Sequence, residues 1–231
     1  MVRVKRHYIS ILILVLALTV ILSPEARADL FDNWGFVTGD SGPTVTNQLS
    51  IDVTAYGTDQ VLFTFSNAGL VASSITDIYF DDGALLGIAD IIYGGGVSFG
   101  VPATPGDLPG GSSIAPAFVT SAGFSADSDP PVMVNGVNPG ESVGILFNLQ
   151  AGKTFDDVLA AILVGFNPGL YYTGGGIYDG WTAPNLRVGI HVQSIGDGAY
   201  SQTYILTPVP GAAILGLLGL GVVGLKLRKY A

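Results

Sequence analysis

Alternation of apolar and polar residues at a period of two is the feature that most restricts the fold of this 231-residue chain. It is clear in four runs, residues 49–56, 61–65, 143–149 and 186–193, each bounded by Gly, Pro, Asn or Asp. That period places alternate side chains on opposite faces of a strand, and the bounding residues are typical of turns. We therefore predict an all-β domain, an antiparallel β-sandwich of jelly-roll-like type.

One segment has helical spacing instead, and it predicts a single short helix over residues 154–163. Thr154 can cap its first turn, and Asp157 occupies the capping-box position. Residues 94–139 are rich in Gly, Pro, Ser and Ala and predict a long loop or a meander of short strands. The apolar residues at helical spacing are Phe155, Val158, Leu159 and Ile162.

The start of the chain predicts a signal peptide over residues 1–28. A basic stretch that ends at Arg6 precedes an apolar stretch over residues 9–22. Ala26 and Ala28 then supply the small-x-small pattern that precedes signal-peptidase cleavage. Cleavage after Ala28 leaves a mature domain over residues 29–207, whereas an uncleaved N-terminal anchor is the alternative.

The end of the chain, residues 208–231, predicts a single transmembrane helix. Pro208 and Pro210 prevent the preceding β-type chain from continuing. The 17 residues from Val209 to Leu225 carry no charge, which is at the low end of the roughly 17–25 residues that a membrane span needs. Three cations follow and would stay in the cytoplasm under the positive-inside rule, so the chain would be exported and held by its tail. They are Lys226, Arg228 and Lys229.

The region between these ends is strongly acidic. Residues 29–207 contain all but one of the 18 Asp and Glu residues, beside only Lys153 and Arg187, so their net charge is about −15. Such a charge repels nucleic acid and excludes it as a partner. The absence of cysteine from the sequence excludes disulfides, a metal–thiolate site and a cysteine nucleophile.

Two patterns raise a catalytic alternative. Ser142 lies in a G-x-S-x-G sequence at residues 140–144, but the nucleophile elbow of hydrolases requires a helix after the serine, and here a β-type run follows. His191 is the only histidine left after signal cleavage, and we expect it to be exposed on the polar face of a strand. A secreted hydrolase that uses Ser142 or a pair of carboxylates stays open as an alternative.

Carboxylates in turn-rich sequence raise the alternative of a Ca²⁺ site. The candidates do not match the twelve-residue Ca²⁺ loop, and Asp is also an ordinary turn residue. We expect no other cofactor. The aromatic residues Trp34, Trp181, Tyr171, Tyr172 and Tyr178 could stack on sugars or fill a core. The Ca²⁺ candidates are Asp81, Asp82, Asp127 and Asp129.

The tail resembles the PEP-CTERM sorting signal of Gram-negative bacteria, in its Val-Pro-x-Pro-Ala-like variants. The matching motif is Pro208, Val209, Pro210, Gly211 and Ala212, followed by the Gly/Leu-rich apolar stretch and the basic end. The domain also resembles the globular part of small proteins of this family, in segments such as residues 78–83, 123–129, 135–141 and 189–193. The resemblance implies export, processing by the membrane enzyme exosortase, and delivery to the cell surface or an exopolysaccharide matrix. It implies no reaction.

We accordingly predict a non-enzymatic protein of the cell surface or extracellular matrix. Its expected partners are an exosortase-type enzyme, the membrane through the C-terminal helix, and extracellular polysaccharide. The main alternative is a carbohydrate-binding module, which predicts a coplanar row of Trp or Tyr on the polar face of one sheet.

Overall fold

The computed structural model describes residues 28–81, 83–120, 124–165 and 186–207. The predicted signal peptide up to residue 27, the tail at 208–231 and Asp82 lie outside the described residues. Ala28 is the first residue of a strand. Within the described ranges, no helix is both long and apolar enough to cross a membrane.

Two antiparallel sheets contain most of the regular secondary structure of the described residues, which confirms the all-β prediction. In spatial order, the five strands of the first sheet are β1 (Ala28–Phe31), β3 (Leu49–Tyr56), β4 (Gln60–Asn67), β9 (Glu141–Leu149) and β6 (Leu85–Tyr93). The six strands of the second sheet are β2 (Trp34–Gly39), β11 (Tyr200–Leu206), β10 (Arg187–Ile195), β5 (Ser74–Asp81), β8 (Ser125–Ser128) and β7 (Phe99–Gly100).

The apolar sets of the alternating runs meet between the two sheets. Phe63 and Phe147 of the first sheet contact Phe80 of the second edge to face, with ring centroids 5.1 and 4.6 Å apart. All three rings are fully buried in one core cluster that draws residues from both sheets. The side chains that point away from the core on each sheet are therefore the ones that can reach solvent or another molecule.

The predicted helix is present as α2 (Phe155–Gly165), after a shorter helix α1 (Val132–Asn135) and two 3₁₀ turns (Thr46–Gln48 and Gly111–Ser113). The expectation of a single helix is therefore wrong in number. The predicted capping box does form at α2: the Thr154 amide donates to Asp157 Oδ2 at 2.8 Å, and the Asp157 amide donates to Thr154 Oγ1 at 3.3 Å. The bond from the Thr154 amide, together with one from the Thr154 hydroxyl to Asp157 Oδ2 at 2.9 Å, lowers the pKa of Asp157.

A segment that we call the covering loop, residues 101–118, lies over part of the outer face of the second sheet. A small apolar cluster forms beneath it from Tyr79 of β5 and loop residues that include Leu108 and Phe118. Strand β5 is consequently buried on both faces. The period of two does not predict β5, because a strand covered on both sides needs no polar face.

Candidate functional site

A hydrogen-bonded line of three side chains crosses the outer face of the second sheet. Asp77 Oδ2 lies 2.8 Å from His191 Nδ1, and His191 Nε2 lies 2.7 Å from Ser201 Oγ. The three residues come from β5, β10 and β11, which are adjacent strands. We call this feature the Asp77–His191–Ser201 line.

The strand register creates this line. His191 pairs with Asp77 on one side and with Thr203 of β11 on the other. Its neighbours Ile190 and Val192 are in the core, so the histidine points outward. The Gly and Asp residues at 196–198 mark a turn between two strands, and this hairpin signal could have placed Ser201 near His191 from sequence alone.

His191 is not the exposed surface histidine that the sequence suggested. Only 13% of its side chain is exposed, and the Asp77 side chain is 4% exposed. Asp77 Oδ2 also accepts a hydrogen bond from Thr76 Oγ1 at 2.8 Å. The ring is held between two partners on neighbouring strands, and most of it is out of contact with solvent.

A second carboxyl group adjoins the line. Asp127 of β8 is the cross-strand partner of Asp77. Burial, followed by repulsion from Asp77, raises the pKa of Asp127 to about 6, although a hydrogen bond from the Thr104 amide opposes this rise. Burial together with nearby carboxylates also raises the pKa of Tyr79, whose hydroxyl donates to the Pro105 carbonyl oxygen at 3.1 Å.

The order carboxylate, imidazole and hydroxyl is that of a serine hydrolase triad. Such a site also needs backbone amides directed at a developing oxyanion. The Ser201 amide instead donates to Asp40 Oδ2 at 2.9 Å, and the Asp40 amide donates to the Ser201 carbonyl oxygen at 2.8 Å. The Ser201 amide is therefore already bonded to a carboxylate, and the side chains of the Asp77–His191–Ser201 line connect three adjacent strands.

The structure does not bring Ser142 and His191 together. Ser142 belongs to β9 of the first sheet, where its neighbour Val143 is in the core, so the serine points outward. His191 points outward from the second sheet, on the opposite side of the molecule. The residues after Ser142 continue as a strand, so the turn and helix of a nucleophile elbow are not formed.

The described Ca²⁺ candidates already have protein partners. Asp81 Oδ2 accepts a hydrogen bond from Arg187 Nε at 2.8 Å, and Asp129 Oδ2 accepts one from Ser98 Oγ at 2.6 Å. Asp127 lies beside Asp77, and Asp82 is outside the described residues. No group of three or more metal-ligating side chains occurs in the ranges that the structure describes. Calcium binding stays a prediction.

The described part of the chain does not contain the expected row of Trp or Tyr. Trp34 is 7% exposed, and its Nε1 donates to the Leu49 carbonyl oxygen at 2.9 Å. The exposed rings of Phe36, Tyr56 and Tyr93 lie on β2, β3 and β6, which are not adjacent strands. The remaining aromatic candidates, Tyr171, Tyr172, Tyr178 and Trp181, lie outside the described residues.

Comparisons with known proteins do not add a function to this geometry. The chain matches no protein-family model, no curated protein and no solved structure at a significant level. The inferences below therefore depend on the residues and their arrangement.

Proposed function

We propose that this chain is an exported, non-enzymatic protein of the surface or extracellular matrix of a Gram-negative bacterium. The observation that carries the proposal is the tail, in which Pro208 is followed by 17 uncharged residues, Pro210 among them, and then by a basic end. An exosortase-type enzyme would recognise this segment and release the domain from the membrane. The jelly-roll-like connectivity and the C-terminal membrane helix belong to the same proposal.

The rest of the chain supports an extracellular location. The domain has no cysteine and therefore needs no oxidative folding catalyst after export. Its excess of carboxylates favours solubility outside the cell. The Asp77–His191–Ser201 line supports a stable scaffold, because it links the side chains of three adjacent strands.

The proposal is tested by measuring the intact mass of the protein recovered from the surface of the bacterium that produces it. We expect the loss of the residues that follow about position 210, together with those of the signal peptide. Replacing both Pro208 and Pro210 with Ala should leave the tail in place and retain the protein in the membrane. Pro139→Ala, in an exposed turn of the domain, is the matched control and should be processed normally. A full-length tail on the surface protein would contradict sorting.

A hydrolase that uses Ser201 is the second candidate, and the geometry of the Asp77–His191–Ser201 line favours it over one that uses Ser142. A fluorophosphonate probe distinguishes the two functions, because it reacts only with an activated serine. Labelling that disappears in Ser201→Ala, with ester hydrolysis that disappears in parallel, would establish the hydrolase. No labelling is expected under the non-enzymatic proposal.

A further inference from the structure

A cleft of about 390 Å³ opens at the β2 edge of the second sheet. Its walls come from β2, from β11 and from residues 39–46, which connect β2 to the first sheet. Binding sites for small ligands usually occupy about 300–1,000 Å³ and combine aromatic walls with a few polar groups. The side chains that matter here are Trp34, Phe36, Asp40, Thr44, Gln202 and Tyr204.

The segment that carries Asp40 is held against β11 by several hydrogen bonds. The Asp40 amide donates to the Ser201 carbonyl oxygen at 2.8 Å, and Gln202 Nε2 donates to the Asp40 carbonyl oxygen at 2.9 Å. Gln202 Oε1 in turn accepts a hydrogen bond from the Tyr204 hydroxyl. Gly39 permits this approach, since its φ is 135° and a Cβ there would lie 2.3 Å from the Ser201 carbonyl oxygen. The Asp40 carboxylate is therefore fixed before any ligand arrives.

The aromatic wall presents an open ring. Phe36 is 58% exposed, although it packs edge to face on the buried Tyr204, with ring centroids 6.2 Å apart. Trp34, two residues earlier on β2, is fixed by the hydrogen bond from its Nε1 to the Leu49 carbonyl oxygen. An exposed ring on a fixed support is a suitable surface for the apolar C–H face of a sugar ring.

The polar wall presents unused oxygen atoms. Asp40 Oδ2 accepts the Ser201 amide, whereas Asp40 Oδ1 has no partner within the described part of the chain. The hydroxyl group of Thr44, which is exposed, is likewise without a partner there. A carboxylate oxygen accepts hydrogen bonds from sugar hydroxyls, and a threonine hydroxyl both donates and accepts them.

We propose that this cleft binds a segment of neutral polysaccharide, with Phe36 stacked on one sugar ring and Asp40 and Thr44 bonded to its hydroxyls. The charge of the domain selects a neutral chain, because residues 29–207 carry only Lys153 and Arg187 against their many carboxylates. An anionic polysaccharide would be repelled by Asp40 itself. The inference deepens the proposed function, on which it rests, by naming the ligand class that retains the protein in a matrix.

The test is affinity electrophoresis of the detergent-solubilised full-length chain in gels that contain a soluble neutral β-glucan, a galactomannan, or anionic alginate. We expect retardation by at least one neutral polysaccharide and none by alginate. Phe36→Ala should raise the apparent Kd at least tenfold, since it removes the stacking surface, and Phe36→Trp should retain binding. Asp40→Asn should weaken binding about fivefold, as expected for the loss of a charged acceptor.

The matched control is Tyr56→Ala, which removes another exposed aromatic ring, from the first sheet, and should leave retardation unchanged. Circular dichroism melting of each variant shows whether it remains folded. Failure to bind either neutral polysaccharide would overturn the cleft proposal, as would binding that is lost in Tyr56→Ala and retained in Phe36→Ala. Tail processing is measured separately by mass, so either result leaves the sorting proposal standing.

Discussion

The outer faces of the two sheets differ, although both sheets contain strands that alternate at a period of two. On the first sheet, the outward residues of β3, such as Ser50, Asp52 and Thr54, are half-exposed and polar. On the second sheet, the covering loop buries outward residues as different as Tyr79 and Arg187. A residue on the outer face of a sheet is therefore polar and exposed to solvent only where no other segment covers it.

Arg187 shows how the covered face is held. Its guanidinium is paired with Asp81, donates to the carbonyl oxygens of Pro116 and Ala117, and lies 5.3 Å from the centroid of the Phe118 ring. Four contacts thus fasten the covering loop to β5 and β10 through one side chain. Substitutions made separately on the two outer faces compare how much each face contributes to the free energy of unfolding.

The largest effect is expected when this ion pair is broken. Arg187→Met should lower the free energy of unfolding by about 3–5 kcal/mol, because Asp81, whose side chain is only 14% exposed, loses its countercharge. Urea unfolding followed by tryptophan fluorescence measures the change. Lys153→Met, at the only other cation of residues 29–207, should change stability by less than about 0.5 kcal/mol. Equal stability of both variants would contradict the role given to Arg187.

Two glycines, one on each sheet, test whether the covering loop restricts the space available to an added side chain. A Cβ at Gly189 would lie 2.7 Å from the buried Leu108 of the covering loop, whereas a Cβ at Gly144 would lie 2.9 Å from the half-exposed Leu62. Gly189→Ala should cost about 1–3 kcal/mol, since the covered side chain has little room to move. Gly144→Ala should cost less than about 1 kcal/mol, because Leu62 can move toward solvent. Equal losses of stability in urea unfolding would mean that Leu108 in the covering loop moves away from the added methyl group as easily as the half-exposed Leu62 does.

The smallest effect concerns pH. Folding raises the pKa of Asp127 from 3.8 to about 6, so the folded state binds the proton more tightly than the unfolded state. The resulting stabilisation is full below about pH 4 and is lost as the pH rises through about 6. Asp127→Asn removes this dependence. It should therefore stabilise the protein by about 1 kcal/mol at pH 7.5, after allowance for solvent screening of this half-buried group, and by nothing near pH 4.

Thermal unfolding across this pH range measures the difference between Asp127→Asn and the unaltered protein. Asp197→Asn, in an exposed turn, is the control and should not alter the pH profile. A wild-type profile that is parallel to that of Asp127→Asn would show that Asp127 titrates normally, and that the second sheet's outer face is as wet as that of the first.

Local patterns predicted the elements that have a solvent-facing side. The alternating runs became β3, β4, β9 and β10, and the helical spacing with its Thr154–Asp157 capping box became α2. Strand β5 and the Asp77–His191–Ser201 line were not predicted. Both depend on which strands become neighbours and on what lies above them, and these are long-range choices.

The sequence by itself determined a cysteine-free, acidic β domain between two apolar ends, because composition and residue period are local properties. Only the tertiary structure decided that Arg187 is buried, that His191 is enclosed between Asp77 and Ser201, and that Phe36 stays open beside Asp40. The physical reason is that burial and pairing arise between residues far apart in the chain. Asp81 and Arg187, for example, are 106 positions apart, and no local pattern connects them.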